Sequence, residues 1–65
     1  MIDIGTKMYI IGNKGKKIPC TVINSWDANE YHRAGFCVDI FYSHYVRQFE
    51  FKEDHIGKEI FYANK

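Results

Sequence analysis

The feature that most constrains this sequence is a series of short runs rich in β-branched and aromatic residues, each bounded by turn-forming residues. The first two runs are KMYII at residues 7–11 and IPCTVINSW at residues 18–26. They are separated by GNKGKK, in which two glycines and an asparagine favour a turn, so this arrangement predicts a β-hairpin. Three more runs follow: FCVDIFY, from Gly35 or Phe36 to Tyr42; VRQFEFK at residues 46–52; and EIFYANK at residues 59–65.

The length and spacing of these runs predict an all-β fold. Five short strands with turns at intervals of roughly 8 to 12 residues are typical of small barrels and sandwiches. Parallel pairing is excluded because no connection is long enough to cross over a sheet. Closing the sheet also hides strand edges, which so short a chain cannot cover with helices. We therefore expect residues 1–65 to form one domain, a small, mostly antiparallel barrel or strongly bent sheet.

Alternation within the strands predicts which side chains face the core. In FCVDIFY, Asp39 shares a face with Cys37 and Phe41, and since a carboxylate belongs in water, the opposite face is the better candidate for burial. Pro19 has no amide donor and predicts an edge or the start of a strand. The predicted core face is Ile18, Cys20, Val22, Phe36, Val38 and Ile40, joined by Phe49, Phe51 and Phe61.

Composition excludes several classes of protein. A hydrophobic fraction of 46% is too high for a disordered chain. Nine basic and eight acidic residues give a net charge of +1, far from the strongly basic balance that makes nucleic acid the default partner. The chain does not begin with a basic stretch followed by an apolar run, and no segment reaches the roughly 18 apolar residues of a membrane helix. We therefore expect a soluble, cytoplasmic protein.

The side chains that bind metals are too scattered to predict a metal site. Structural zinc needs closely spaced pairs of the C-x2-4-C and H-x3-5-H type. Neither pair occurs among Cys20, Cys37, His32, His44 and His55. No metal and no cofactor are therefore expected. The two cysteines lie in strand-like runs, which favours reduced, buried thiols, with pairing across adjacent strands as the alternative.

Three stretches carry a resemblance to a known family: the opening IGTKMYII with its basic turn, the strand KIPCTVI and the closing DHIGKEIFY. They resemble the small SH3-like barrel proteins of bacteria, phages and mobile elements, in which an Ile-Gly step, two polar residues and an Ile/Val-Phe pair mark the last strand. In that family the closing strand often continues into an acidic, alanine-containing tail, whereas here it ends at YANK. The resemblance implies an SH3-like barrel and no chemistry.

Four charged side chains near the C-terminus are the candidates for acid–base catalysis: Glu53, Asp54, His55 and Glu59. A carboxylate beside an imidazole tunes its proton affinity near neutral pH. Catalysis also needs a pocket that excludes water, which a polar turn between two strands lacks. We interpret the segment as a corner, in which Ile56 caps the open end of the barrel and Gly57 takes a positive φ. No catalytic residue and no enzyme activity are expected.

Three lysines, Lys14, Lys16 and Lys17, make the first turn basic. No acidic residue lies between Lys7 and Lys17, so the turn is a local positive patch on a nearly neutral protein. Contacts from such a patch to phosphates give affinity without sequence preference. Nucleic-acid binding through these lysines and Arg33 and Arg47, with bases stacked on Tyr or Trp, is therefore the alternative function.

The excess of aromatic residues is the strongest functional signal. Five Phe, five Tyr and one Trp exceed what the core of so small a domain can hold, so several must lie at the surface. Trp, Tyr and Arg are enriched at interaction hot spots, and here they cluster in the 26–33 loop and the 43–47 turn. We predict a non-catalytic module that binds a protein partner; a second copy of the chain is one candidate for that partner. The predicted contact residues are Trp26, Tyr31, Arg33, Tyr45 and Arg47.

Overall fold

The computed structural model describes residues 1–63 and consists of one five-stranded sheet. Its strands are β1 (Lys7–Ile11), β2 (Lys17–Trp26), β3 (Gly35–Phe41), β4 (Val46–Lys52) and β5 (Ile60–Tyr62), with 3-10 turns at Asn13–Gly15 and Glu53–His55. The order across the sheet is β4-β3-β2-β1-β5, and all neighbours are antiparallel. The predicted all-β class is confirmed. Within residues 1–63, neither 3-10 turn has the length that a helix needs to cross a bilayer.

The longest strand, β2, has different neighbours along its two halves. Residues 17–21 pair with β1, and residues 21–26 pair with β3. The register shifts between Val22 and Asn24, and an irregularity of this kind bends a strand and increases its twist. The bend allows β2 to pair with β1 along its first half and with β3 along its second half.

Pro19 lies in β2 without breaking a ladder. The amide of Gly12 donates to the Lys16 carbonyl oxygen at 2.7 Å and the amide of Val22 to the Thr6 carbonyl oxygen at 3.0 Å. Because hydrogen-bonded and non-hydrogen-bonded pairs alternate along an antiparallel ladder, the nitrogen of Pro19 points away from β1. On that side the pairing with β3 begins only at Thr21, so the missing amide costs no strand hydrogen bond.

The buried face follows the predicted alternation. Five of the six residues predicted for the core by alternation in β2 and β3 are buried, and Ile18 is partly buried against them. Phe49 and Phe51 are partly buried on the same face. The prediction for Phe61 was wrong, because the register with β1 turns this ring outward and Ile60 inward. The complete core is Ile2, Met8, Cys20, Val22, Phe36, Val38, Ile40 and Ile60.

The sheet has two edges. β4 and β5 stand at the ends of the strand order, and among the described residues no ladder joins them, so the hydrogen bonding does not close into a ring. β5 is only three residues long, and the carbonyl oxygen of Ile60 already accepts a hydrogen bond from Gly57 at 2.8 Å. β4 is seven residues long and pairs with β3 alone.

The segment between β4 and β5 is the predicted corner. The 3-10 turn Glu53–His55 is followed by Ile56, which packs against the core and forms an isolated bridge with Ile60. Gly57 has a φ of 88°, in the left-handed region that glycine enters without strain. The last strand was predicted over residues 59–65; it covers Ile60–Tyr62, and residues 64 and 65 lie outside the described part of the chain.

Two phenylalanines of β3 provide a matched test of this core assignment. We expect Phe36→Ala to lower the free energy of unfolding by about 3–5 kcal/mol, because the ring is fully buried. Phe41→Ala should change it by only about 0.5 kcal/mol, because that ring is mostly in water. Urea denaturation followed by far-UV circular dichroism measures both. Equal losses would contradict the assignment of the two faces.

Candidate functional site

Trp26, at the end of β2, ties the following loop to the sheet. Its ring lies against its partner residue Gly35, where an added methyl group would come within 2.7 Å of the indole and 2.8 Å of the Phe51 carbonyl oxygen. Only glycine leaves this space. The indole Nε1 donates a hydrogen bond to the Arg33 carbonyl oxygen at 3.0 Å, and Lys52 Nζ lies 5.6 Å from the ring centroid. Trp26 is therefore half-buried and largely occupied by contacts within its own chain.

The loop after Trp26 is organised by Asn29. Its side-chain Oδ1 accepts hydrogen bonds from the backbone amides of Tyr31 at 2.7 Å and His32 at 3.0 Å. The backbone amide of Asn29 donates to the His32 carbonyl oxygen at 2.9 Å. These bonds form an Asx-type turn. Tyr31 stands at its tip with 85% of its surface exposed, so its ring is presented to solvent on a defined backbone.

Arg33, at the end of this loop, forms an ion pair with Asp54 at 2.7 Å. Both side chains are more than half exposed. A pair in this setting contributes about 1 kcal/mol or less. The guanidinium is thus held in place, and exchanging Asp54 for the carboxylate of a partner costs little.

Exposed apolar side chains concentrate at the end of the β3–β4 hairpin. Of the eight large apolar side chains that are exposed among the described residues, half lie within residues 41–46. Phe41 and Val46 are cross-strand partners, and the rings of Tyr42 and Tyr45 stack with their centroids 4.9 Å apart. The Tyr42 amide closes the turn by donating to the Tyr45 carbonyl oxygen at 2.8 Å. We call Phe41, Tyr42, Tyr45 and Val46 the hairpin-end patch.

The structure separates the predicted contact residues into two groups. Trp26, Tyr31 and Arg33 lie where β3 begins. Tyr45 lies beyond the other end of β3, and Arg47 pairs with Ile40 near that end. Six residue steps along β3 put these ends about 20 Å apart. The guanidinium of Arg47 lies over a phenylalanine ring of its own strand, 5.0 Å from the centroid.

Sequence reasoning did not assign Phe41 and Val46 to a binding surface. The signal for Phe41 was present, because alternation placed it on the same face as Asp39, and a phenylalanine on a solvated face has no packing role within its own sheet. Val46 carried no such signal, because its exposure follows from the position of β4 at the edge of the sheet.

The basic turn adjoins a stacked aromatic pair. Lys14, Lys16 and Lys17 are all exposed, and Lys14 has a φ of 61°. Lys17 Nζ lies 4.7 Å from the centroid of the Tyr9 ring, which stacks on Phe61 at 5.3 Å. Of the three predicted lysines, Lys17 therefore lies beside partly exposed rings on the outward face of β1 and β5.

The charged corner places His55 beside two surface carboxylates. His55 Nδ1 lies 3.2 Å from a Glu59 carboxylate oxygen, and His55 Nε2 lies 3.8 Å from Asp54. Both carboxylates are more than half exposed, which screens these pairs. Within residues 1–63, no three His, Cys, Asp or Glu side chains are grouped in a way that could hold a metal ion.

The two cysteines are free, although they lie on neighbouring strands. Cys20 faces the core, whereas Cys37 is opposite Glu50 on the outward face, so the two do not pair across the strands. Burial raises the pKa of the Cys20 thiol to about 11. Burial also raises the pKa of Cys37, as does the charge of Glu50, and Lys52 opposes them. Both thiols are therefore protonated at neutral pH, which makes them weak nucleophiles.

Comparison with protein-family models, with curated proteins and with solved structures found no match to this chain.

The contact between Trp26 and Gly35 can be tested by adding one methyl group. We expect Gly35→Ala to lower the free energy of unfolding by about 1–3 kcal/mol, because the methyl group meets a backbone carbonyl that cannot move aside. The emission of the single tryptophan should shift to the red as the indole is displaced. Gly57→Ala is the control: its Cβ has free space but its φ is positive, so it should lower stability and leave native emission unchanged. An unshifted spectrum in Gly35→Ala would contradict this role of Gly35.

Proposed function

We propose that this protein is a non-catalytic module that binds a protein partner through the hairpin-end patch. The observation that carries the proposal is the exposure of four apolar side chains in two successive cross-strand pairs at the hairpin end, among them Phe41 at 70% and Tyr45 at 56%. Each Å² of apolar surface that stays in water lacks the roughly 25 cal/mol of stabilisation that burial would give. A concentration of exposed apolar side chains at one end of a small domain is typical of an interaction surface.

The patch also has the properties of a surface that is ready to bind. The stacked tyrosine rings and the hydrogen bond that closes the turn limit the conformations of Tyr42 and Tyr45 before any partner arrives, which reduces the entropy lost on binding. Beside Phe41 lies a shallow groove of about 430 Å³, lined in part by Lys7, Pro19 and Thr21. The favoured occupant is an apolar side chain from the partner.

An SH3-like roll of the sheet is part of this proposal. It is supported by the bend of β2 between Val22 and Asn24, by the 3-10 turn between β4 and β5, and by Ile56, which packs against the core beside β5. In such a roll the outward face carries the side chains that the core does not use, and the hairpin-end patch projects from one end.

Site-specific photo-crosslinking tests the proposal in the cells that produce the protein. A photo-reactive residue in place of Tyr45 should give a crosslinked protein that mass spectrometry identifies, and Phe41→Ser should lower its yield at least about tenfold because a hot-spot ring is lost. The control places the same group at Tyr31, which is more exposed to solvent than Tyr45, at 85% against 56%, but lies at the other end of β3. Equal crosslinking from both positions, or none from Tyr45, would overturn the proposal.

Nucleic-acid binding is a second candidate, favoured by the position of Lys17 beside the stacked rings of Tyr9 and Phe61. Lysines track a phosphate backbone, and exposed rings stack on bases of any sequence. The pair Tyr9 and Phe61 also borders an apolar groove with Ile56 and Tyr62. A single strand is the favoured ligand, because its unpaired bases are free to stack.

Salt dependence tests this second candidate. Retention of the protein on a single-stranded oligonucleotide should fall steeply as salt is raised, and Lys16→Gln/Lys17→Gln should reduce the slope of log K against log salt by about 1 to 2. Lys58→Gln, an exposed lysine outside the turn, is the control and should have little effect. Absence of retention at low salt, or binding that salt does not change, would exclude nucleic acid.

A further inference from the structure

The structure defines which residues of β4 turn their backbone amides and carbonyls away from β3. The Tyr42 amide bonds to the Tyr45 carbonyl oxygen, and the Glu53 amide bonds to the Ala34 carbonyl oxygen, which fixes the hydrogen-bonded pairs at the two ends of the β3–β4 ladder. Because such pairs alternate along an antiparallel ladder, the odd-numbered residues of β4 point their amides and carbonyls at β3. The residues whose backbone groups point away from the sheet are Val46, Gln48, Glu50 and Lys52.

These outward groups have no partner within residues 1–63. No strand of the described chain pairs with the second side of β4, and three of the four residues are exposed. The other edge differs, because β5 is short and the Gly57 amide already bonds to the Ile60 carbonyl oxygen. An open edge of seven residues is a template for another strand.

The sequence of β4 is complementary to itself in one antiparallel register. When Phe49 lies opposite Phe49 of a second copy, all seven residues of β4 pair. The free backbone amides and carbonyls of one copy then face those of the other, and the core faces of both copies lie on the same side of the joined sheet. Gln48 then lies opposite Glu50, Val46 opposite Lys52, and Arg47 opposite Phe51, so no like charges are directly opposed. The two Glu50 carboxylates lie diagonally across the axis, and each is paired with Lys52 of its own chain at 2.9 Å. A shift by two residues shortens the pairing and in one direction opposes Glu50 to itself.

We infer that two copies of this chain associate through their β4 strands, antiparallel and centred on Phe49, to form one continuous ten-stranded sheet. Roughly eight backbone hydrogen bonds form across the two-fold axis. The partly buried rings of Phe49 and Phe51 gain a neighbour where the edge now leaves them partly exposed. The inference goes beyond the proposed function, because it uses the backbone of the edge and not the aromatic rings of the hairpin-end patch.

Sedimentation equilibrium over a range of protein concentrations tests this association. The mass should rise from 7.7 kDa toward about twice that value. Gln48→Pro removes an outward amide without removing a bond to β3, so the fold should persist while dimerisation weakens by about tenfold or more. Gln48→Ala keeps the amide and should dimerise like the parent. A strict monomer at millimolar concentration, or a Gln48→Pro dimer of undiminished affinity, would overturn the inference.

Disulfide trapping tests the register and does not depend on how Gln48→Pro folds. On a Cys37→Ser background, which removes the thiol opposite residue 50, a mixture of Gln48→Cys and Glu50→Cys chains should form an intermolecular disulfide. Directly opposed residues in a hydrogen-bonded pair have the Cα separation of about 5.5 Å that a disulfide requires. Either variant alone should crosslink much less. Equal crosslinking in all three samples would overturn the register and with it the inference.

A third variant separates the two proposals. Phe41→Ser/Tyr45→Ser removes two rings of the hairpin-end patch and leaves the β4 backbone intact, so it should dimerise like the parent protein. If it is monomeric while Gln48→Pro dimerises, the copies meet at the hairpin end, which overturns edge pairing and supports the proposed function. If it dimerises and Tyr45 gives no crosslink, edge pairing stands and the proposed function fails.

Discussion

The structure depends on the bend of β2, because a single sheet of this size must cover its own apolar face. Within residues 1–63, the five short strands have one inward face, and no α-helix lies over it. By pairing with β1 along its first half and β3 along its second, β2 turns the sheet so that Met8 and Ile60 share one core with Phe36 and Val38. Without the bend these residues would lie on a flat surface, and the burial that stabilises the fold would be lost.

The same constraint determines which side chains are left for binding. Once the inward positions are filled, every large apolar residue on an outward position stays in water unless a neighbour on its own face covers it. Tyr9 and Phe61 cover each other by stacking, and Trp26 is covered by its own loop and Gly35. Phe41 and Val46 face each other at the end of the hairpin, and both remain exposed. The hairpin-end patch is therefore what a sheet this small cannot bury by itself.

Features that depend on the local alternation of side chains could be predicted from the sequence. Features that depend on the order of the strands in the sheet could not. The bounds of β1 and β4 and the inward face of β3 follow from alternation, and the positive φ of Gly57 follows from the corner it occupies. Phe61 was misplaced because the last run is too short for alternation to show which of its residues faces inward. The contact of Trp26 with Gly35 was not predicted, because nothing local indicates that a glycine nine residues later leaves space for its ring. The edge position of β4 depends on the order of all five strands, and no single run encodes it.

Edge pairing bears on the contact residues predicted from the sequence, because these lie at two separate places on a single chain. The loop with Trp26 and the turn with Tyr45 lie at opposite ends of the β3–β4 hairpin, too far apart to touch one partner residue together. Antiparallel pairing centred on Phe49 places Val46 of one copy opposite Lys52 of the other, and Lys52 is the residue whose ammonium lies near the Trp26 ring. Each hairpin end thus comes to lie beside the Trp26 loop of the second copy. In the proposed dimer, the 26–33 loop of one copy and the 43–47 turn of the other would lie on adjoining chains as two separate clusters, which is how the sequence presents them.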